Sequence, residues 1–175
     1  MDLVARVLAD VAARRPIDAR EEASIAEVLA TVPRLERPFD VDADPVHVTG
    51  SAFVVGRRGI VLLRHRRLGI WVQPGGHVDP GETPWDGARR EAVEETGLAV
   101  HPLGAEPELA HVDVHPGGRG HTHLDLRYLF TADDGDPNPP TGESQEVEWF
   151  AWPEAAAVAE PALGPILAAL AARFG

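Results

Sequence analysis

Glu91 directly follows Arg90, and Glu94 and Glu95 lie three and four residues beyond Glu91 in a stretch with helical character. At 100° per residue Gly87, Arg90, Glu91, Glu94 and Glu95 share one side of a helix. Trp85, Ala88, Ala92, Val93 and Thr96 fall broadly on the other. One face packs and the other is acidic. Like charges at this spacing destabilise a helix by a few tenths of a kcal/mol per pair, so something positive belongs there. Arg90 can neutralise one carboxylate, not three. Clustered oxygen donors without cysteine or histidine among them suit hard divalent cations such as Mg²⁺ or Mn²⁺. A charge run by itself is ordinarily a solvated helix face, but here the neighbouring residues set it apart. Gly75-Gly76 lies a short loop upstream, where the lack of a Cβ lets the backbone come close to a ligand. A carbonyl there could complete a metal shell.

The helix that must carry these groups has both ends marked. Thr83 is a good N-cap, Pro84 fits the first helical position, and Asp86 sits three residues after the cap. Gly97 is a natural left-handed residue after the last turn. The spacing therefore predicts a helix from about Thr83 to Thr96.

With Gly76, Glu82, Arg90, Glu91, Glu94, Glu95, Gly97 and Leu98 in place, Gly76–Leu98 resembles the Nudix box, G-x5-E-x7-R-E-U-x-E-E-x-G-U with U bulky and apolar. Every fixed position matches; the first U is Ala92, apolar but small. The resemblance implies a Mg²⁺-dependent hydrolase, with Mn²⁺ as a substitute, that cleaves a pyrophosphate bond in a nucleoside diphosphate linked to another group. It implies that Glu91 and Glu95 bind metal with Glu94 contributing, that the Gly75 carbonyl is a further ligand, and that Arg90 orients Glu91 while pairing with Glu82. The carboxylate that positions or deprotonates the attacking water is then Glu91 or an acid from a later loop. Glu143 and Glu146, just before a last strand, are the candidates, with Glu146 ahead. The fold implied is an α/β/α sandwich: a mixed, curved sheet with the box helix on one side and a C-terminal helix on the other.

At 175 residues, 44% of them hydrophobic, the chain has the size and composition of one folding domain. Its formal net charge of −12 opposes binding to a nucleic-acid polymer, whose affinity depends on basic side chains. A small nucleotide remains accessible, because bound metals invert the local potential. With no cysteine there is neither a disulfide nor a thiol nucleophile, which weighs against isopentenyl diphosphate isomerase, a Nudix-like enzyme that works with cysteine. All sixteen basic residues are arginine. No apolar run approaches the length that spans a bilayer, and Asp2, Arg6 and Asp10 interrupt the first residues, so neither signal nor anchor is expected and the location expected is cytoplasmic.

Ahead of the box, Met1–Val32 reads as two amphipathic helices broken at Pro16 and Pro33, and Arg34–Pro45 as a linker. Residues 1–45 thus form an extension and residues 46–175 the Nudix-like domain. The extension is expected to pack on that domain; a homodimer contact or a lid is the alternative. VHVTGSAFVVG and GIVLLRHR read as strands around a turn at Gly56–Gly59. Arg64, His65, Arg66 and Arg67 follow, with Arg64 and Arg66 as candidates for substrate phosphates, and Trp71 as a base-stacking or a core residue.

Downstream of the box, a second hairpin is expected around Pro116–Gly120. Alternation puts His111, Asp113 and His115 on one face of its first strand and His121, His123, Asp125 and Arg127 on one face of its second. If His115 pairs with His121, both sets share a face. Such a set could hold Zn or Ni, but the favoured reading is a polar face lining a substrate cleft, with His123 and Asp125 as substrate contacts. Asp133–Gly142 is a loop, Trp149-Phe150 belongs to the last strand, and helices follow from Trp152 and over Gly164–Phe174. Markers that resemblance would place downstream for ADP-ribose or dinucleoside polyphosphate hydrolases do not fit, since Pro116 and Tyr128 come too late. A nucleoside triphosphate is the default substrate, then a nucleotide sugar. The alternative function is a nucleotide- or metal-binding regulatory module that keeps the fold without turnover.

Overall fold

A computed structural model describes residues 2–175; Met1, the first residue of the predicted helical extension, lies outside them. The elements are α1 (Leu3–Ala13), α2 (Ala19–Thr31), β1 (Val46–Gly56), β2 (Gly59–Arg64), β3 (Trp71–Val72), β4 (Gly75–His77), α3 (Pro84–Thr96), β5 (Val100–Pro102), β6 (Glu108–Pro116), β7 (Thr122–Ala132), β8 (Val147–Phe150), α4 (Trp152–Val158) and α5 (Gly164–Phe174).

Among the described residues the strands form one mixed sheet organised around β1. β1 runs parallel to β7 along nearly its whole length, from Val46↔Thr122 to Val55↔Thr131. Its other edge is shared between two antiparallel partners. β4 pairs at Thr49–Ser51, and β2 pairs at Val55-Gly56. The edge is thus divided, and the division brings the glycine pair of β4 beside the middle of the central strand.

Period-two alternation along β1 sorts the core into two layers. Val48, Ala52 and Val54 join Ala88 and Ala92 of α3 in one cluster, together with Val7 and Val11 of α1 and Val28 of α2. Gly50, on the same face, lies under α3 where a Cβ would run into the Pro84 carbonyl. Phe53 and Val55 point the other way, into a cluster with Ile60, Leu62 and the helical residues Ala155, Ile166, Leu167 and Leu170. The sheet is therefore covered on both faces, as the α/β/α expectation requires.

The extension packs against this body. α2 also covers the outer edge of β6, where Val112 N–H donates to Glu21 Oε1 at 3.1 Å and Val114 N–H donates to Ser24 Oγ at 3.1 Å. Glu21 is fully buried. Its carboxylate also accepts from Arg14 and from the Ile17 N–H.

Between His101 and His115 the chain forms two strands, since Pro102, Gly104 and Pro107 interrupt it; these are β5 and β6, which both pair with β7. One expectation needs correction. The hairpin register is His115↔His123, not His115↔His121, because a turn of 3₁₀ helix over Gly118–Gly120 takes up the intervening residues. The shared face survives the change of register.

Candidate active site

The box helix is built as its caps require. The Thr83 side chain accepts from Asp86 N–H, Pro84 opens the helix, and Gly97 closes it with φ of 68°. The Thr83 hydroxyl donates in turn to the Asp86 carboxylate at 2.6 Å. Leu98 is buried beyond the cap and fixes the exit of the chain.

Arg90 is the hub of the acidic face. Its Nε is 3.0 Å from Glu82 Oε1, and its Nη1 is 2.8 Å from Glu91 Oε1 and 3.2 Å from Glu94 Oε2. Nη2 donates to the His77 carbonyl at 3.0 Å, which ties the helix to β4. The Glu82 pairing, ahead of the opposing effect of burial, holds the guanidinium firmly in its charged form. Glu82 itself lies against Gly87, where a Cβ would come within 3.3 Å of its Oε2.

Two carboxylates are left undercompensated. Burial, before any neighbouring charge, pushes the Glu95 carboxyl up to about 8, although Gly75 N–H donates to its Oε2 at 2.9 Å. Burial likewise raises Glu91, against the pull of Arg90. Glu94 and Glu143 act on both, so four carboxylates converge on one locus. Gly76 makes the convergence sterically feasible: a Cβ there would stand 2.6 Å from Glu91 Cδ. An all-oxygen donor set in which burial and crowding leave negative charge undercompensated fits a hard divalent cation, which takes the place of the proton such carboxylates otherwise retain.

The two loop acids part company. Glu143 is half-buried and its charge reaches Glu91 and Glu95. Glu146 is exposed and pairs with Arg64 at 2.9 Å. Arg66 donates to the Gly142 carbonyl. Arg64 and Arg66 thus hold the loop ahead of β8, an engagement that sequence spacing could not reveal.

Trp71 lies edge-on to Phe150 with ring centroids 4.8 Å apart and packs on the cluster beneath α4 and α5, which is the core alternative rather than the base-stacking one. Asp125 is buried rather than facing a cleft. It accepts from Ser51 Oγ at 2.8 Å and Thr49 Oγ1 at 3.0 Å, and pairs with Arg127 at 2.7 Å. Arg127 also reaches Asp113 at 2.9 Å, and Arg20 of α2 reaches Asp113 at 2.8 Å. Burial works to raise Asp113, and the bonds from His115 and Arg20 with the charge of Arg127 overcome it, so the carboxylate stays ionised. Burial, then Arg127, lowers His111. The polar face read from alternation exists, but α2 and the sheet seal half of it as an ion network.

The other half is a histidine cluster. His123 meets His47, His77 and His115 at centroid distances of 5.2, 5.4 and 5.4 Å. Burial first, and then the neighbouring histidines, lower His123 to about 4. His47, Thr49 and Ser51 were not singled out from sequence, yet the alternation that sorts β1 puts all three on this face.

Residues 45–170 match the family model described as NUDIX domain. The chain belongs to the Nudix family. Among Nudix relatives, it is 34% identical over 97 residues to an RNA pyrophosphohydrolase of Agrobacterium fabrum, a match that covers 47% of this chain and 56% of that protein. It is 36% identical over 104 residues to the oxidized purine nucleoside triphosphate hydrolase of Mus musculus, covering 51% of this chain and 57% of the relative. The chain thus spans little more than half the length of either. In fold it resembles an Ap4A hydrolase of C. elegans, with a TM-score of 0.60 at 22% identity over 73% of this chain and 96% of the other. A Nudix-family hydrolase from Clostridium perfringens gives 0.59 at 22% identity, over 73% and 95%.

Proposed function

We propose that this Nudix protein is a divalent-metal-dependent pyrophosphohydrolase acting on small nucleotides, with nucleoside triphosphates as the first substrate class and nucleotide sugars or ADP-ribose next. The observation that carries the reading is the pairing of Glu95 with the Gly75 N–H inside a locus of four carboxylates on which Arg90 is centred. Glu91, Glu95 and the Gly75 carbonyl would hold Mg²⁺ or Mn²⁺, with Glu94 contributing. Such an ion, when bound, neutralises charge on the diphosphate and makes a bound water more acidic.

The chain's own residues supply the rest. Arg90 fixes the rotamer of Glu91 and is itself fixed by Glu82, so the ligand carboxylate is oriented before substrate arrives. Glu143 is the acid of the later loop that takes or directs the water's proton, since it shares the locus with Glu91 and Glu95 while Glu146 is engaged by Arg64. The net charge of −12 favours a small substrate over a long phosphate backbone.

The test is release of phosphate or pyrophosphate from nucleoside triphosphates, including oxidised purine forms, nucleotide sugars, ADP-ribose, dinucleoside polyphosphates and a 5′-triphosphorylated oligoribonucleotide, each with Mg²⁺, Mn²⁺ or chelator. Metal-dependent release from a mononucleotide is the expected result. Release from the oligoribonucleotide alone would overturn the substrate assignment. Tight nucleotide binding with no product in any arm would overturn turnover itself and leave a binding module.

A further inference from the structure

We propose a second metal site, separate from the carboxylate locus, in which His47, His77 and His123 bind a late first-row divalent ion such as Zn²⁺. His47 comes from the start of β1, His77 from the end of β4 and His123 from β7. Each offers a ring nitrogen, and these three atoms lie within 4.8 Å of one another. The ring centroids form a nearly equilateral triangle, with His47–His77 at 5.2 Å, His47–His123 at 5.2 Å and His77–His123 at 5.4 Å. With zinc–nitrogen bonds of about 2.0–2.1 Å, an imidazole centre sits roughly 3.2 Å from the ion, so three centres in a tetrahedral arrangement are roughly 5.2 Å apart. The rings already stand at that spacing. Rotation about χ2 brings the nitrogens together with little movement of the centres.

A second observation points to a ligand. His47 is 1% exposed, and its Nε2 is buried with no hydrogen-bond partner among the described residues. Its Nδ1 is 3.1 Å from the Asp44 carbonyl, which can only accept, so Nδ1 carries the proton and the Nε2 lone pair is free. A buried polar atom without a partner is costly, and an imidazole held by its other nitrogen on a backbone carbonyl is how metal-binding histidines are commonly oriented. His115 behind His123 is held in the same fashion, its Nδ1 3.1 Å from Asp113 Oδ2. His121, with its ring 5.1 Å from that of His47, stands at the open side and is the candidate for the fourth position, which water can also fill. An ion has a way in: His77 and His121 line a surface cleft with Asp42, Asp44 and Arg119.

Imidazole selects Zn²⁺, Ni²⁺ or Co²⁺ over Mg²⁺, so the two sites differ in chemistry although β4 serves both. An ion on the three histidines clips β4, the strand of Gly75 and Gly76, to β1 and β7.

The experiment uses the full chain without a histidine tag, stripped of metal and kept in excess Mg²⁺. Zn²⁺ uptake is measured against a competing chelator, Co²⁺ is followed by its visible absorption, and thermal unfolding is recorded with each ion. One equivalent of Zn²⁺, tetrahedral Co²⁺ bands and a raised Tm are expected in the wild type and equally in Glu95→Gln. Zn²⁺ affinity falls on the order of 100-fold in His77→Gln and in His123→Gln. His77 is exposed, so its replacement does not endanger folding, which circular dichroism verifies. No Zn²⁺ uptake by the wild type, uptake that survives both histidine variants, or uptake lost in Glu95→Gln would each overturn the site.

Discussion

The carboxylate of Glu91 occupies the space a side chain on Gly76 would need: an ideal Cβ at Gly76 falls 2.6 Å from Glu91 Cδ. Gly76→Ala therefore forces Glu91 to swing away and abandon its bond from Arg90. Because the group displaced is the end of a flexible side chain, the fold tolerates the change. Turnover is expected to drop on the order of 100-fold, the scale of losing one positioned group, with Tm shifted by no more than a degree or two. Steady-state kinetics and thermal unfolding of the same preparation separate the two effects, and an unchanged kcat would remove Glu91 from the site.

Glu95 makes the metal-free protein sensitive to pH. Its carboxyl stands at about 8 in the folded chain against 4.5 ordinarily. Between those values the folded state binds more protons than the unfolded one, so stability is highest at the acidic end of the window and declines as pH rises through it. A divalent ion competes with that proton, so stabilisation by Mg²⁺ should grow toward pH 8 and above. Unfolding curves across the window with and without Mg²⁺ check this. In Glu95→Gln both the decline and the growing Mg²⁺ effect should flatten, and turnover should be almost abolished.

Glu143→Gln should lower kcat more than Glu146→Gln. Glu143 acts on Glu91 and Glu95, whereas Glu146 is exposed and bonded to Arg64. The expected gap is on the order of 10- to 100-fold, within the range for general acid–base groups. KM should change little for Glu143→Gln if it acts on the water rather than on substrate affinity, and equal losses in both variants would void the assignment.

Arg127 holds the buried ion network together, bonding Asp125 at 2.7 Å and Asp113 at 2.9 Å. Arg127→Met leaves Asp125 with hydroxyl partners alone and strips Asp113 of one of its two arginines. Removing one member of a buried charge set costs about 3–5 kcal/mol. Urea unfolding should register a loss of that order, and a loss below about 1 kcal/mol would mean that water replaces the guanidinium.

What could be read from the sequence was local, and what escaped was relational. The box helix was legible because caps, acids and glycine lie within one short stretch; so were the two helices of the extension and both hairpins. Glu91, Glu94 and Glu95 share one helix face as their spacing suggested, and Arg90 bonds Glu82 and Glu91 as the family resemblance implied. Asp125 could not be read, because its burial depends on Ser51 and Thr49, over seventy residues away, and its partner Asp113 is held by Arg20 of the extension. Trp71 was open between two roles until Phe150 was seen against it. The histidine triangle joins three strands through a parallel register, His47↔His123, and an antiparallel one, Thr49↔His77. No spacing in the chain announces it. Alternation along β6 and β7 showed that the face was polar, and His47, Thr49 and Ser51 at alternate positions of β1 extend it.

The two bonds from β6 to Glu21 and Ser24 give the N-terminal helices a duty unrelated to catalysis. A strand with partners on one side presents a row of donors and acceptors that another chain can extend. Here side chains of a helix occupy that row without offering a further edge of their own, so the sheet ends where α2 begins. A fragment trimmed to residues 45–170 would keep every box residue yet uncover both that strand and the valines of the shared core. Self-association of that fragment, read by light scattering beside the full chain, is the expected consequence.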